Sequence, residues 1–172
     1  MYRLYKLISV LLFPLSKKLF LHFIGVRYGM GCRFVGLTRS TFGSEPYLIE
    51  FGNNVTVSSG VQFITHDGSV SVLRNEHPRI DLFDTIKIGD NVFIGHGSII
   101  MPGTTIGNNV ILGAGSLVRG TVPSDAIYAG IPAKYKKSIE EYSNQILPKV
   151  DQTKKLSFFA KKRYLLKKYN VK

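Results

Sequence analysis

The run IGDNVF IGHGSI IMPGTT IGNNVI LGAGSL VRGTVP, from Ile88 to Pro123, decides the fold. Each of its six hexads opens on a branched aliphatic residue: Ile88, Ile94, Ile100, Ile106, Leu112 and Val118. The fifth place is small or β-branched throughout (Val92, Ser98, Thr104, Val110, Ser116, Val122), and Gly follows the aliphatic in four of the six hexads. A fixed internal period marks a repeat architecture, and a six-residue period predicts a parallel β-helix. In that prism of short strands the inward aliphatics of successive coils stack over one another. It has few loops, so chemistry belongs where coils are interrupted or where chains meet.

On the N-terminal side three more hexads start at Phe51, Val57 and Phe63, with Val55 and Val61 in the fifth place. The register then breaks, because Ile88 follows Phe51 by 37 residues, which is not a multiple of six. Residues 68–87 are polar, contain Pro78 and lack the period, so they read as an excursion loop expelled from the prism. Long loops in compact repeats generally carry function. The Gly-rich stretch from Tyr28 to Pro46 is expected to form an imperfect first coil. AGIPAK, Ala129 to Lys134, with Gly130 and Pro132, predicts a sharp turn out of the last coil. The chain thus divides into a helical N-terminal segment (1–27), a repeat body (28–134) and a basic tail (135–172). Helices are expected in the tail over 136–145 and 157–169.

The charge is uneven. Residues 1–44 hold seven Lys/Arg and no acid, and residues 134–172 hold twelve against three; the body between them holds four against eight. Basic flanks attract phosphate, anionic lipid or nucleic acid. No RNA-binding signature, zinc finger or helix-turn-helix pattern accompanies them, so nucleic acid is not an expected partner. The longest clean apolar run, Leu7 to Leu15, is too short to span a bilayer and contains Pro14. No small-residue cleavage site follows it. The expectation is an amphipathic helix that docks on the prism end or lies on a membrane surface. Cys32 is the only cysteine, which fits a reducing cytosol, and it is read as a buried small hydrophobe.

Hexads, ITHDGS at Ile64–Ser69 before an excursion, GAGSLV at Gly113–Val118 and AGIPAK together resemble the hexapeptide-repeat acetyltransferases. The similarity spans roughly Tyr28 to Lys134. It is closest to the bacterial branch that O-acetylates sugars of capsules, exopolysaccharides and lipopolysaccharides, and to the maltose and galactoside acetyltransferases. The resemblance implies a left-handed parallel β-helix, an exception to the usual right-handed crossover. It also implies a homotrimer with active sites between neighbouring prisms, acetyl-CoA as donor, a saccharide acceptor and no metal. By position it makes His66 the catalytic base and places Ala114, with His96 one coil earlier, beside coenzyme A. Where the family commonly shows Val-Val-Thr-Lys after GAGS, this chain reads Leu117-Val118-Arg119-Gly120. The lysine is absent, so Arg119 or Lys134 is expected to meet a phosphate.

The chemistry agrees with these positions. Acetyl transfer from a thioester to a hydroxyl requires the acceptor oxygen to lose a proton as it attacks, which suits an imidazole. Of the four histidines, His22 lies in the apolar N-terminal segment, whereas His66 ends a hexad immediately before the excursion. Asp67 adjoins it, but alternate strand residues point to opposite faces, so a direct pair is not expected. A backbone carbonyl or a loop acid, Glu76, Asp81 or Asp84, is left to orient the ring. Backbone amides between Gly95 and Ser98 are candidates for oxyanion donors. Asp67, Arg74, Asn75 and Glu76 are expected to bind the acceptor, which is lipid- or nucleotide-linked. The enzyme is expected in the cytoplasm, with peripheral contact at the inner membrane surface. Alternatives are N-acetylation of an amino sugar, a non-catalytic scaffold, and a zinc-dependent β-helix of the gamma carbonic anhydrase kind, for which His66, His77 and His96 lack close spacing.

Overall fold

A computed structural model describes residues 17–38 and 40–171. The first sixteen residues of the expected N-terminal helix, including the apolar run at Leu7–Leu15, lie outside the described residues. The chain divides into two compact units, Met1–Glu140 and Glu141–Lys172.

The first unit begins with helix α1 (Lys17–Phe23) and then winds through five coils. Coil one supplies β1 (Arg27–Tyr28) and β2 (Arg33–Phe34). Coil two supplies β3 (Ile49–Phe51), β4 (Thr56–Val57) and β5 (Gln62–Phe63). Coil three supplies β6 (Ile86–Ile88), β7 (Val92–Ile94) and β8 (Ile99–Ile100). Coil four supplies β9 (Thr105–Ile106), β10 (Val110–Leu112) and β11 (Leu117–Val118). Coil five supplies β12 (Thr121–Val122) and β13 (Ala126–Ala129). The strands stack in parallel as three faces: β1-β3-β6-β9-β12, β2-β4-β7-β10-β13 and β5-β8-β11. This arrangement fits the left-handed β-helix that the resemblance implies.

The register turns the hexads into coils. Ile88 pairs with Ile106, Ile94 with Leu112 and Ile100 with Val118, each eighteen residues on, so three hexads make one turn. Phe51 pairs with Ile88 and Phe63 with Ile100, so the excursion inserts nineteen residues and the stack resumes unchanged. The opening aliphatic of each hexad is buried, and the hexads interlock as one core. Burying each such side chain is worth about 1.5–3 kcal/mol. At its first end the core is aromatic: Phe42 stacks on Phe63 at 5.5 Å, and Phe34 and Phe51 meet edge-on. Phe20, Leu21 and Ile24 at α1 are buried in this cluster, so the described part of the N-terminal segment docks on the body. Cys32 is half-buried, its Sγ against the Gly52 carbonyl at 3.1 Å.

One prism edge turns on Asn54, Asn91, Asn109 and Asp125, all with φ between 54° and 61°. Asn and Asp tolerate this left-handed conformation, and here they also form a ladder. Asn91 Nδ2 donates to Asn109 Oδ1, and Asn109 Nδ2 donates to Asp125 Oδ1, both at 2.8 Å.

The prism faces differ on their outer sides. β1-β3-β6-β9-β12 shows Arg27, Glu50, Lys87, Thr105 and Thr121, all exposed and polar. The second face shows Arg33, Thr56, Phe93, Ile111 and Ile127 in one column, polar in the first two coils and apolar beyond them, and the third shows Gln62, Ile99 and Leu117.

The C-terminal end departs from expectation. Lys134 to Ser138 forms β14, antiparallel to β13, where a helix was expected from Lys136. Helix α2 (Ile139–Ile146) follows. Lys-Tyr-Lys-Lys has no periodicity of its own; the free edge of β13 supplies the partner that makes it a strand. In the second unit a 3-10 turn (Leu147–Lys149) leads to α3 (Phe158–Lys168), whose N-cap is Ser157.

Candidate active site

His66 stands where the second coil leaves the prism. Thr65 is fully buried, Asp84 N donates to the Thr65 carbonyl, and Asp67 N donates to the Leu82 carbonyl, each at 2.9 Å. These bonds bring the two ends of the excursion together and pin His66 opposite Phe83. The Phe83 ring lies edge-on to the imidazole at 6.4 Å.

The group that orients the ring is Glu45, in the irregular stretch before coil two. Its Oε2 lies 3.0 Å from His66 Nδ1 and accepts a hydrogen bond from Thr65 Oγ1 at 2.9 Å. Ser44 Oγ is also 3.2 Å from Nδ1. Burial pushes the Glu45 carboxyl up, but the hydrogen bonds from Thr65, His66 and Ser44 outweigh it and hold the carboxyl below its ordinary value. An ionised carboxylate accepts only, so a neutral His66 carries its proton on Nδ1 and presents an unprotonated Nε2. Glu45 is only 15% exposed at its side chain, against 43% for His66. The imidazole is therefore reachable and its carboxylate partner is sheltered. None of the loop acids considered from sequence does this work. The available signal was that Glu45 is the first acid in the chain, between Gly43-Ser44 and Pro46.

Asp67 does not pair with His66. Its Oδ1 accepts from Ser69 N at 3.0 Å, which caps the 3-10 turn Gly68–Leu73, and these bonds lower its carboxyl's pKa. Arg74 reaches across the excursion, its Nη2 donating to Asp81 at 2.6 Å and its Nε to the Ile80 carbonyl at 3.3 Å. Ser44, Glu45, His66, Asp67, Arg74, Asp81 and Phe83 surround a cavity of about 310 Å³. Of the expected acceptor residues, Asp67 and Arg74 line it, whereas Asn75 and Glu76 stand exposed on the loop outside it.

The expected donor residues fall on two prism edges. His96 and Ala114 stack on consecutive coils above Ser59: Gly115 N donates to the His96 carbonyl at 2.7 Å, and Ser59 Oγ lies 3.0 Å from His96 Nδ1. Lys134 pairs with Ala129, which sits one coil above Gly113 at the same edge. Arg119 belongs to the His66 edge, where its charge acts on Asp67. The face β5-β8-β11 separates the two edges. The amides of Gly95, Gly97 and Ser98 already donate to the carbonyls of Leu112, Ser59 and Gly95, which leaves them poorly placed as oxyanion donors. Among the described residues, no cluster of three or more His, Cys, Asp or Glu is arranged to hold a metal ion.

Residues 85–120 match the family described as bacterial transferase hexapeptide (six repeats). The chain is 58% identical over 146 residues to Protein CapG of Staphylococcus aureus, an alignment covering 85% of each chain. The chain belongs to the hexapeptide-repeat acetyltransferases.

Solved members of the hexapeptide-repeat acetyltransferases share the fold. A maltose O-acetyltransferase from Clostridium difficile 630 aligns at 28% identity and a TM-score of 0.52, over 71% of this chain and 74% of that one. A hexapeptide-repeat acetyltransferase of Vibrio cholerae, solved with acetyl coenzyme A, aligns at 26% identity and a TM-score of 0.50, over 64% of each chain. With these relatives the chain is an acyltransferase that moves acetyl groups.

Proposed function

We propose that this enzyme transfers the acetyl group of acetyl-CoA to a saccharide hydroxyl during assembly of a capsule, exopolysaccharide or lipopolysaccharide, with His66 as general base. The observation that carries the proposal is the Glu45–His66 contact at the mouth of the excursion, in a cavity lined by polar groups and one aromatic ring. A sugar needs both, because its hydroxyls seek hydrogen bonds and its C–H face seeks an apolar wall. His66 Nε2 takes the acceptor proton as the hydroxyl oxygen attacks the thioester carbonyl. The tetrahedral intermediate collapses, the C–S bond breaks, and the thiolate of coenzyme A recovers the proton from His66. Glu45 stays ionised and stabilises the transient imidazolium.

Acetyl-CoA suits the edge that carries His96 and Ala114. That edge is built from small residues, and a Cβ placed on Gly97 or Gly115 would meet open space. An extended pantetheine chain fits such a low ridge, with Lys134 of that edge assigned to its phosphates; in the proposed trimer a neighbouring copy brings its His66 and Arg119 to the same donor. Outward apolar residues in coils three to five, Phe93, Ile111 and Ile127 on one face and Ile99 and Leu117 on the next, against a first face polar throughout, support a homotrimer that buries them. The prism is assigned the left-handed winding that the family resemblance implies. Among the described residues no helix is long and apolar enough to cross a membrane. The basic flanks support a cytoplasmic enzyme working beside the inner leaflet, where lipid-linked acceptors are presented. His66→Ala should lower kcat by about a hundred- to ten-thousandfold while leaving the acetyl-CoA-induced rise in melting temperature intact. Near-normal turnover in that variant would remove His66 from the mechanism.

A further inference from the structure

Helix α3 carries an apolar side that its own unit leaves open. At helical spacing Phe158, Leu165 and Tyr169 share one side with Lys162 among them, and Phe159 and Leu166 lie at its margin. Phe158 and Phe159 are 76% and 77% exposed, and their rings meet edge to face. A groove of about 540 Å³ runs along this side, walled in part by the stems of Lys161 and Lys162. The opposite side of α3 is occupied. Tyr164 Oη and Lys168 Nζ both donate to Asp151 Oδ1, at 2.6 Å and 2.5 Å, which fixes how the helix sits on the preceding loop. From Leu147 to Lys172 the chain holds nine Lys/Arg and a single acid, Asp151, and α3 itself engages that acid.

We propose that α3 is a membrane-docking helix for an anionic lipid surface. Phe158, Phe159, Leu165 and Leu166 enter the boundary between headgroups and acyl chains, and the neighbouring Lys and Arg heads meet the lipid phosphates. Charge complementarity selects this occupant. A second copy of the chain would bring two strongly basic helices together. A nucleic acid duplex would meet the cations without burying the adjacent phenylalanines. The proposal rests on the placement beside the membrane and not on the role of His66, and turnover of a soluble acceptor separates the two.

The test is flotation of the purified full-length protein with phosphatidylcholine vesicles, with and without about 30% phosphatidylglycerol. The protein should float with the anionic vesicles only and be released by high salt. Phe158→Ser with Phe159→Ser should weaken binding at least about tenfold, and Lys161→Glu with Lys162→Glu should do the same. Melting temperature, the acetyl-CoA thermal shift and turnover of the soluble acceptor should be unchanged in all of these variants. Failure to float with anionic vesicles, or flotation untouched by the phenylalanine changes, overturns the proposal. Loss of oligomeric mass in the phenylalanine variant with flotation intact also overturns it and assigns the face to a second copy.

Discussion

At the scale of single residues the decisive contact joins Glu45 to His66, and it sets both tautomer and orientation. Glu45→Gln keeps the shape and an acceptor but removes the charge. It should lower kcat at least about tenfold and leave the apparent KM for acetyl-CoA unchanged, because in the proposed mechanism the lost interaction is with the imidazolium of the transition state. A fall in acetyl-CoA affinity instead would make Glu45 a structural residue. The same carboxyl has a stability signature. Its pKa is lower folded than unfolded, so the unfolded chain binds more protons in the acid range. Its contribution is complete above the unfolded value and lost as pH falls through the folded one. The melting-temperature gap between wild type and Glu45→Gln should therefore be widest near neutral pH and close as the pH falls through and below the ordinary carboxylate range. His66 was legible in the sequence, because it stands where a hexad meets a register break. Glu45 was not: it lies in a stretch without period, and no spacing rule says which residue of such a stretch folds back on a site twenty-one positions away.

At the scale of elements the coil edges are as informative as the strands. Asn109 holds a left-handed φ of 54° while accepting from Asn91 and donating to Asp125. Asn109→Ala loses both bonds and strains the turn, for an expected cost of about 1–3 kcal/mol. Asn109→Gly loses the bonds without the strain and should cost less. Urea denaturation of the two variants checks the order, and equal costs would show that the backbone conformation is irrelevant. The edges could also have been assigned from sequence alone. His96 and Ala114 differ by one full coil, whereas Arg119 falls past the next strand and so belongs to the neighbouring edge. The strand Lys134–Ser138 could not have been assigned in this way, because its pattern is neutral and the β13 edge decides its conformation.

For the whole molecule, the proposed trimer would have its copies meet along the apolar column of Phe93, Ile111 and Ile127, with the neighbouring Ile99 and Leu117. Phe93→Arg with Ile111→Arg places two charges in the apolar column. Light scattering should then report a mass well below that of the wild-type assembly, with cooperative melting retained. An unchanged mass would locate the interface elsewhere. The hexads make the prism readable, because every coil repeats one pattern of buried side chains. They say nothing about its outer surface, where the period is silent and each residue answers to a neighbour in space.

A stack of parallel coils has no natural stopping point, since each rung presents the hydrogen-bonding groups on which another rung could form. In this chain the turn Gly130–Ala133 bonds to Leu117 above β11, and β14 runs antiparallel along β13. Reversal of direction makes β14 a poor template for a further parallel rung, and its run of lysines adds repulsion. The hairpin is thus a terminator: without it, the same regularity that makes the prism stable would invite end-to-end growth into filaments.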